Sequence, residues 1–207
     1  MDEKQPIMQD IAQIFTFLFL MLGPFKIIGP FVQMTANADS LLMRQIAIRA
    51  TFFSATGILL AALLGEYFLT KFGIPVSILA LTGGLILFLV ALANVIATYS
   101  PPAAKEEHSA PTVQLALKPL AFPIIVTPYG IAAVIVFMAI SPGLQEKLII
   151  GGIVIGIMVL NLIMMLLTRH IGKMLFLFLF ILGSVLSVIQ VALGLMIVYS
   201  QIKILFP

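Results

Sequence analysis

Long apolar runs that carry few charged residues constrain the fold of this chain more than any other feature. Six such runs lie at about 11–35, 45–66, 74–99, 114–141, 147–168 and 174–201, and a helix needs roughly 20 apolar residues to cross a bilayer. The runs are continuous rather than alternating, which indicates helices and not the strands of a β-barrel. The sequence therefore predicts an all-α membrane protein with six transmembrane helices.

The composition agrees with this prediction and excludes several classes of protein. Hydrophobic residues make up 62% of the 207 residues and charged residues only 9%, whereas a soluble domain carries about 25% charged residues. The net charge of +3 comes from a few loop residues, without the basic strip that nucleic-acid binding requires. The chain has no cysteine and so no disulfide or thiolate metal site. We expect one integral membrane domain over residues 1–207, in contact with the lipid bilayer and not with nucleic acid.

The six spans form two sets of three, separated by a polar linker at 101–112. The segment Gly23-Pro24-Phe25-Lys26 in span one aligns with Thr127-Pro128-Tyr129-Gly130 in span four, with an aromatic residue after each proline. Three spans are an odd number, so the second set must enter the bilayer in the opposite direction. The sequence thus predicts two inverted repeats, at about 8–100 and 113–204, an arrangement found in many secondary transporters.

Proline and glycine fall inside spans one and four, where a continuous helix would exclude them. Pro24 and Pro30 lack the N–H that would bond the carbonyls of Leu20 and Lys26. In hydrocarbon an unpaired carbonyl costs several kcal/mol, so such breaks persist only beside protein or a wet cavity. We therefore predict that helices 1 and 4 are interrupted by Pro/Gly and that a transport site lies at the two interruptions.

The predicted substrate-binding residues come from the two interruptions and from one polar position of span three. They are Gly23, Pro24, Lys26, Gly29, Pro30, Thr127, Pro128, Tyr129, Gly130 and Asn94. Other interpretations stay open at this stage. A proline can simply kink a helix, and Lys26 can extend toward the membrane surface instead of serving a substrate.

Further polar and small residues in the spans have two interpretations each. Asn94, Asn161 and Gln190 can line an interior path or form interhelical hydrogen bonds. Gly152 and Gly156 form a G-x-x-x-G pattern that predicts close packing of span five against another helix.

Chemistry-bearing residues are missing from the spans. No Asp or Glu lies deep in a span, both histidines (His108 and His170) fall in loops, and no phosphate-binding Gly-x-x-x-x-Gly-Lys occurs. A hydrolase in the membrane would need such groups to activate a nucleophile or water. We expect no enzyme activity, no catalytic residues, no metal and no cofactor.

The orientation follows from lysine and arginine in short loops. One side carries Arg44, Arg49, Lys105, Arg169 and Lys173, with Lys118 nearby, and the other carries Lys4, Lys71, Lys147 and Lys203. The first side carries more lysine and arginine, which places it in the cytoplasm. The sequence therefore predicts a multi-pass protein with both termini outside the cytoplasm.

Several of these segments resemble the MarC family of six-span bacterial inner-membrane proteins. The resemblance lies in GPFKIIGPFVQMT (23–35), RQIAIRA (44–50), LGEYFLTKFGIP with GGLILFLVAL (64–92) and LAFPIIVTPYGIAAVIV (120–136). It implies a bacterial inner membrane location and a transporter-like, inverted-repeat fold, in a group that includes transporters of small neutral amino acids.

This chain departs from the family pattern at the predicted site. The family typically shows N-P-x-G-x-x-P-x-F in span one, where this chain has Gly23 for the Asn, Lys26 for the Gly, and the second proline, Pro30, displaced by one. In span four, Thr127 and Tyr129 replace the two glycines of G-P-G-x-I. The framework therefore matches while the site residues differ.

The predicted function is a secondary transporter or exporter of a small solute, with neutral amino acids as one candidate class. Helix N-termini would bind the carboxylate of an amino acid and freed carbonyls its ammonium, whereas Lys26 would favour an anion. The alternative is a non-transporting membrane assembly or stress-response protein whose breaks are packing devices. A homo-oligomer is compatible with either function.

Overall fold

The structure is a computed structural model that describes residues 4–99, 112–141, 143–168 and 173–206. All but the last residue of the predicted linker lie outside these ranges, as do Lys105, His108, Arg169 and His170. No strand occurs in the described ranges. Seven α-helices and two irregular turns make up the described chain. In order they are α1 (Lys4–Leu22), α2 (Phe25–Met34), α3 (Ser40–Phe72), α4 (Val76–Tyr99), a 3-10 turn (Val113–Ala116), a π-helical turn (Leu117–Ile125), α5 (Pro128–Ile140), α6 (Leu144–Leu167) and α7 (Lys173–Leu205).

Five helical stretches are long and apolar enough to cross a membrane. They are Ile11–Met34, Ser40–Phe72, Val76–Ile96, Leu144–Leu167 and Ile181–Leu205. A sixth span results if Val113–Ile125, here called the irregular segment, and Pro128–Ile140 count as one span bent by 61°. The prediction of an all-helical, multi-pass membrane protein is therefore confirmed.

Helix α3 is longer than the span predicted at 45–66, because both of its ends are capped. The Asp39 carboxylate accepts a hydrogen bond from the Leu42 N–H at 2.7 Å, which satisfies one of the free donors of the first turn. At the other end Gly73 adopts φ 62°, a left-handed conformation that glycine adopts without strain. The apolar run alone did not show these polar ends as part of the helix.

The helix ends define two faces of the bundle, the N-terminal face and the opposite face. The N-terminal face holds the starts of α1, α4 and α6 and the ends of α3, α5 and α7. The opposite face holds the starts of α3 and α7 and the ends of α2, α4 and α6. These assignments follow from the chain order of the helices.

Helices from the two halves of the chain pack against one another. α4 packs along α7, α3 along α6, and α1 against α5. The α4–α7 pair is close because glycines face it: a Cβ on Gly194 would lie 2.6 Å from the Phe88 nitrogen. A side chain there would collide with backbone, so the pair needs glycine at this position.

The G-x-x-x-G pattern of α6 behaves differently from its prediction. A Cβ on Gly152 or Gly156 would meet no atom within 4 Å. The prediction that these glycines allow close packing with another helix of the chain is therefore wrong. The spacing puts both glycines on one face, but packing decided that this face meets no other described helix.

Candidate functional site

The first break in helical structure lies at Gly23 and Pro24, between α1 and α2. The Gly23 N–H still bonds the Phe19 carbonyl at 2.8 Å, and helical bonding resumes when the Ile28 N–H reaches the Pro24 carbonyl at 3.2 Å. Because Pro24 has no N–H, it cannot bond the carbonyl of Leu20. The last carbonyls of α1 thus need donors from elsewhere.

Three side chains donate to three consecutive carbonyls at this end of α1. Gln190 Nε2 of α7 donates to the Leu20 carbonyl, and Lys26 Nζ donates to that of Met21. Asn161 Nδ2 of α6 donates to the Leu22 carbonyl at 2.8 Å. Asn161 thus forms an interhelical hydrogen bond, while Gln190 forms one and also lines a cavity. We call these three donors and their carbonyls the carbonyl cluster.

The second break lies between the irregular segment and α5, and it is closed locally. The backbone leaves helical geometry at Lys118 and Phe122. Thr127 then caps α5, where its hydroxyl oxygen accepts from the Gly130 N–H at 3.2 Å. Pro128 is the first residue of α5, a position where its missing N–H costs nothing.

The two breaks contact each other. Lys26 Nζ lies over the ring of Tyr129, 5.2 Å from its centroid, within the range of a cation–π interaction. Beside it, the Leu22 side chain packs on Gly130, where a Cβ would come within 2.6 Å of Leu22 Cδ2. Lys26 therefore points into the protein at Tyr129 and does not extend to the membrane surface.

A cavity of about 430 Å³ lies between this contact and the opposite face of the bundle, and we call it the lysine cavity. Its walls come from the region around the first break, from α4 and from α7. Its polar lining residues are Lys26, Gln33, Asn94, Ser184, Ser187 and Gln190. Gln33 and Asn94 stand near the opposite-face ends of α2 and α4, so the cavity opens toward that face.

A second cavity, of about 680 Å³, lies on the other side of the contact, and we call it the tyrosine cavity. Tyr129 and Met21 line its inner end. Gln13, Glu146 and Gln201 also line it, at the N-terminal-face ends of α1, α6 and α7. The tyrosine cavity therefore opens toward the N-terminal face, and its remaining lining is mostly apolar.

The structure distributes the predicted site residues over three places. Gly23, Lys26, Gly29, Pro30 and Asn94 line the lysine cavity, and Tyr129 lines the tyrosine cavity. The remaining four line neither cavity. Pro24, Thr127 and Gly130 are buried at the breaks, and Pro128 is exposed.

One expected break is absent, and several cavity residues were missed. Helix α2 continues through Pro30 to Met34, so Pro24 ends a helix here whereas Pro30 does not. The missed residues include Ser184 and Ser187, which share one face of α7 with Gln190 at spacings of three. That periodic polar face was a usable signal.

Comparison with known proteins places these features in a family. The sequence model of MarC family integral membrane proteins matches residues 8–176. The chain is also similar to a UPF0056 membrane protein of Methanocaldococcus jannaschii, at 31% identity over 139 residues, which is 66% of this chain and 67% of that protein. No solved structure matches the chain. With a family match over most of its length and the helical bundle expected of it, the chain belongs to the MarC family of integral membrane proteins.

Proposed function

We propose that this protein is a secondary transporter or exporter of a small solute, which passes between the lysine cavity and the tyrosine cavity. One observation carries the proposal. The two cavities open toward opposite faces and approach each other across the contact of Lys26 with Tyr129. Alternating access exposes one site near the bilayer midplane to each face in turn, and two cavities that meet at one contact suit such a path.

Met21 takes part on both sides of the partition between the two cavities. The Met21 side chain lines the tyrosine cavity, while the Met21 carbonyl accepts the hydrogen bond from Lys26 of the lysine cavity. A movement that separates Lys26 from Met21 and from the Tyr129 ring would join the two cavities. The first turns of the short helices α2 and α5 meet here. Non-helical backbone at this depth is tolerated where it lines a cavity.

We further propose that the two halves are inverted repeats, and the packing of the halves supports this. Each span of the first half packs on its counterpart in the second: α4 on α7, α3 on α6, and α1 on α5. The partners run in opposite directions, as inverted copies of three spans must. Interrupted spans at the interface of such repeats are a common location of transport sites, and spans one and four are the interrupted ones here.

Side-specific labelling tests whether the two cavities are water-filled vestibules. The chain has no cysteine, so single cysteines can be introduced without background. We expect Asn94→Cys, in the lysine cavity, to react with a membrane-impermeant thiol reagent added from one side only. Ala133→Cys, in the tyrosine cavity, should react only from the other side. Leu85→Cys, exposed but in neither cavity, should stay unreactive in the bilayer.

Counterflow uptake in proteoliposomes tests transport itself. The first pool should hold labelled neutral amino acids and small carboxylates, with Lys26→Ala beside the wild type. Saturable uptake that Lys26→Ala alters and Lys71→Ala leaves unchanged is the expected result. Folded protein that takes up no member of this pool would contradict transport of these solutes.

A non-transporting assembly or stress-response protein is the second candidate, and one observation favours it. The carbonyls of Leu20, Met21 and Leu22 each accept a hydrogen bond from within the chain, as a packing device would require. Under this alternative neither Asn94→Cys nor Ala133→Cys reacts with the impermeant reagent from either side.

A further inference from the structure

We infer that the lysine cavity binds a small organic monoanion through a carboxylate paired with Lys26, and that it disfavours a zwitterionic amino acid. The inference rests on the proposed function for the path of the solute, while the binding step can be measured alone. Three observations support it: the basic lining of the cavity, the hydrogen-bonded carbonyls of the carbonyl cluster, and the size and apolar walls of the cavity.

The ionisable lining of the lysine cavity is basic, with no acidic residue to balance it among the described residues. Its described lining contains one basic residue, Lys26, and no Asp or Glu. In the described ranges the ion pair is Lys147 with Glu66, at 2.6 Å between α6 and α3, near the N-terminal face. Lys26 has no carboxylate partner among the described residues, and a buried ammonium is stable when paired with an anion.

Each carbonyl of the carbonyl cluster already accepts a side-chain donor, so a substrate ammonium would have to share these acceptors. An amino acid would place its ammonium on carbonyls freed by the break, but those of Leu20, Met21 and Leu22 already accept from Gln190, Lys26 and Asn161. Lys26 Nζ thus already holds the Met21 carbonyl, one of the acceptors that a substrate ammonium would use. A lysine has three N–H donors, so Lys26 keeps two for an incoming carboxylate while it holds Met21.

The size and the lining of the cavity select a small monoanion with an apolar body. A volume of about 430 Å³ falls within the usual range of small-molecule pockets. Phe19, Phe25, Ile28 and Leu186 supply apolar walls beside Lys26. One cation balances one negative charge, whereas a phosphate dianion is usually held by several basic or N–H donors.

A series of three nearly isosteric ligands tests the charge preference directly. Saturation-transfer NMR on the purified protein in nanodiscs would compare propionate, propionamide and alanine. Propionamide removes the negative charge, and alanine adds the ammonium. We expect propionate to bind at least tenfold more tightly than either. Alanine or propionamide binding as tightly as propionate would overturn the inference.

Variants assign the binding to the lysine cavity. Lys26→Met should abolish propionate binding, and Lys26→Arg should retain most of it. Lys71→Met is the matched control, because Lys71 also lies over a tyrosine ring (Tyr67, 5.6 Å) but is exposed at the N-terminal face. Propionate binding that survives in folded Lys26→Met would overturn the inference. Should Lys26→Met fail to fold, the ligand series on the wild type decides.

Failure of this inference is distinguishable from failure of the transport proposal. Propionate binding that depends on Lys26, without counterflow of any solute, would overturn transport and support the binding site. Counterflow of alanine without propionate binding would overturn the binding site and support transport.

Discussion

The two helix breaks of this protein solve the same problem in different ways. At the first break the free groups are carbonyls at the end of α1, and their donors come from three other helices. At the second break the free groups are N–H groups at the start of α5, and Thr127 caps one of them from three residues away. A short hydroxyl side chain can satisfy a helix N-terminus locally. Side-chain donors to a helix C-terminus must be long or come from neighbouring helices.

This difference makes the first break a junction of the tertiary structure and the second a local feature. A change at the carbonyl cluster reaches α2, α6 and α7 together, while a change at Thr127 stays within α5. The partition between the two cavities is built from the first kind of break. We therefore expect mutations to have larger and more widely coupled effects at the carbonyl cluster.

The largest effect is expected when two donors of the carbonyl cluster are removed. The double variant Asn161→Leu with Gln190→Leu leaves the Leu22 and Leu20 carbonyls unpaired in apolar surroundings. We expect the free energy of unfolding to fall by about 2–4 kcal/mol, since an unsatisfied buried acceptor costs about 1–3 kcal/mol. Unfolding in mixed micelles measures it. Gln33→Leu, at an exposed amide of α2, is the control and should change stability little.

A smaller effect is expected at the second break. Thr127→Val keeps the shape of the side chain and removes the oxygen that accepts from Gly130. A lost N-cap costs about 0.5–2 kcal/mol. The control Thr82→Val removes an exposed hydroxyl that donates to Ile78 of its own helix, and it should cost less. If Thr127→Val lowered the free energy of unfolding as much as the double variant does, the second break would not be the more local of the two.

The smallest effect is a coupling energy between the first break and α7. Pro24→Ala restores an N–H that can bond the Leu20 carbonyl, which then needs Gln190 less. Gln190→Leu should therefore cost about 0.5–1 kcal/mol less in the Pro24→Ala background than in the wild type. A double-mutant cycle measures this difference. Additive effects would show that Gln190 does not compensate for the proline.

The position of the cation can be examined separately from stability. Lys26, Lys71 and Lys203 each lie over a tyrosine ring, but the partners of Lys71 and Lys203 are four residues away on the same helix. Only the Lys26 pair bridges two breaks among these three. Tyr129→Leu should therefore alter solute uptake severalfold, whereas Tyr67→Leu and Tyr199→Leu should leave uptake unchanged. Equal uptake in all three variants would show that the contact between Lys26 and Tyr129 plays no part in the solute path.

The sequence by itself determined the membrane class, the approximate positions of the apolar spans, and the breaks near Pro24 and Pro128, but not the length of α3 or the continuity of α2 through Pro30. These properties follow from local quantities: the length of apolar runs and the missing N–H of proline. The freed carbonyl of Leu20 was predictable in this way, because it depends on Pro24 four residues later.

Only the tertiary structure decided what the breaks contact. Gln190 is 170 residues from the carbonyl it serves, and Asn161 is 139 residues from its own. The same dependence on packing explains why Lys26 turns toward Tyr129 and why the glycine face of α6 meets no described helix. A polar side chain in an apolar span must find a partner, but its partner depends on how the helices pack, and a local sequence pattern does not encode that packing.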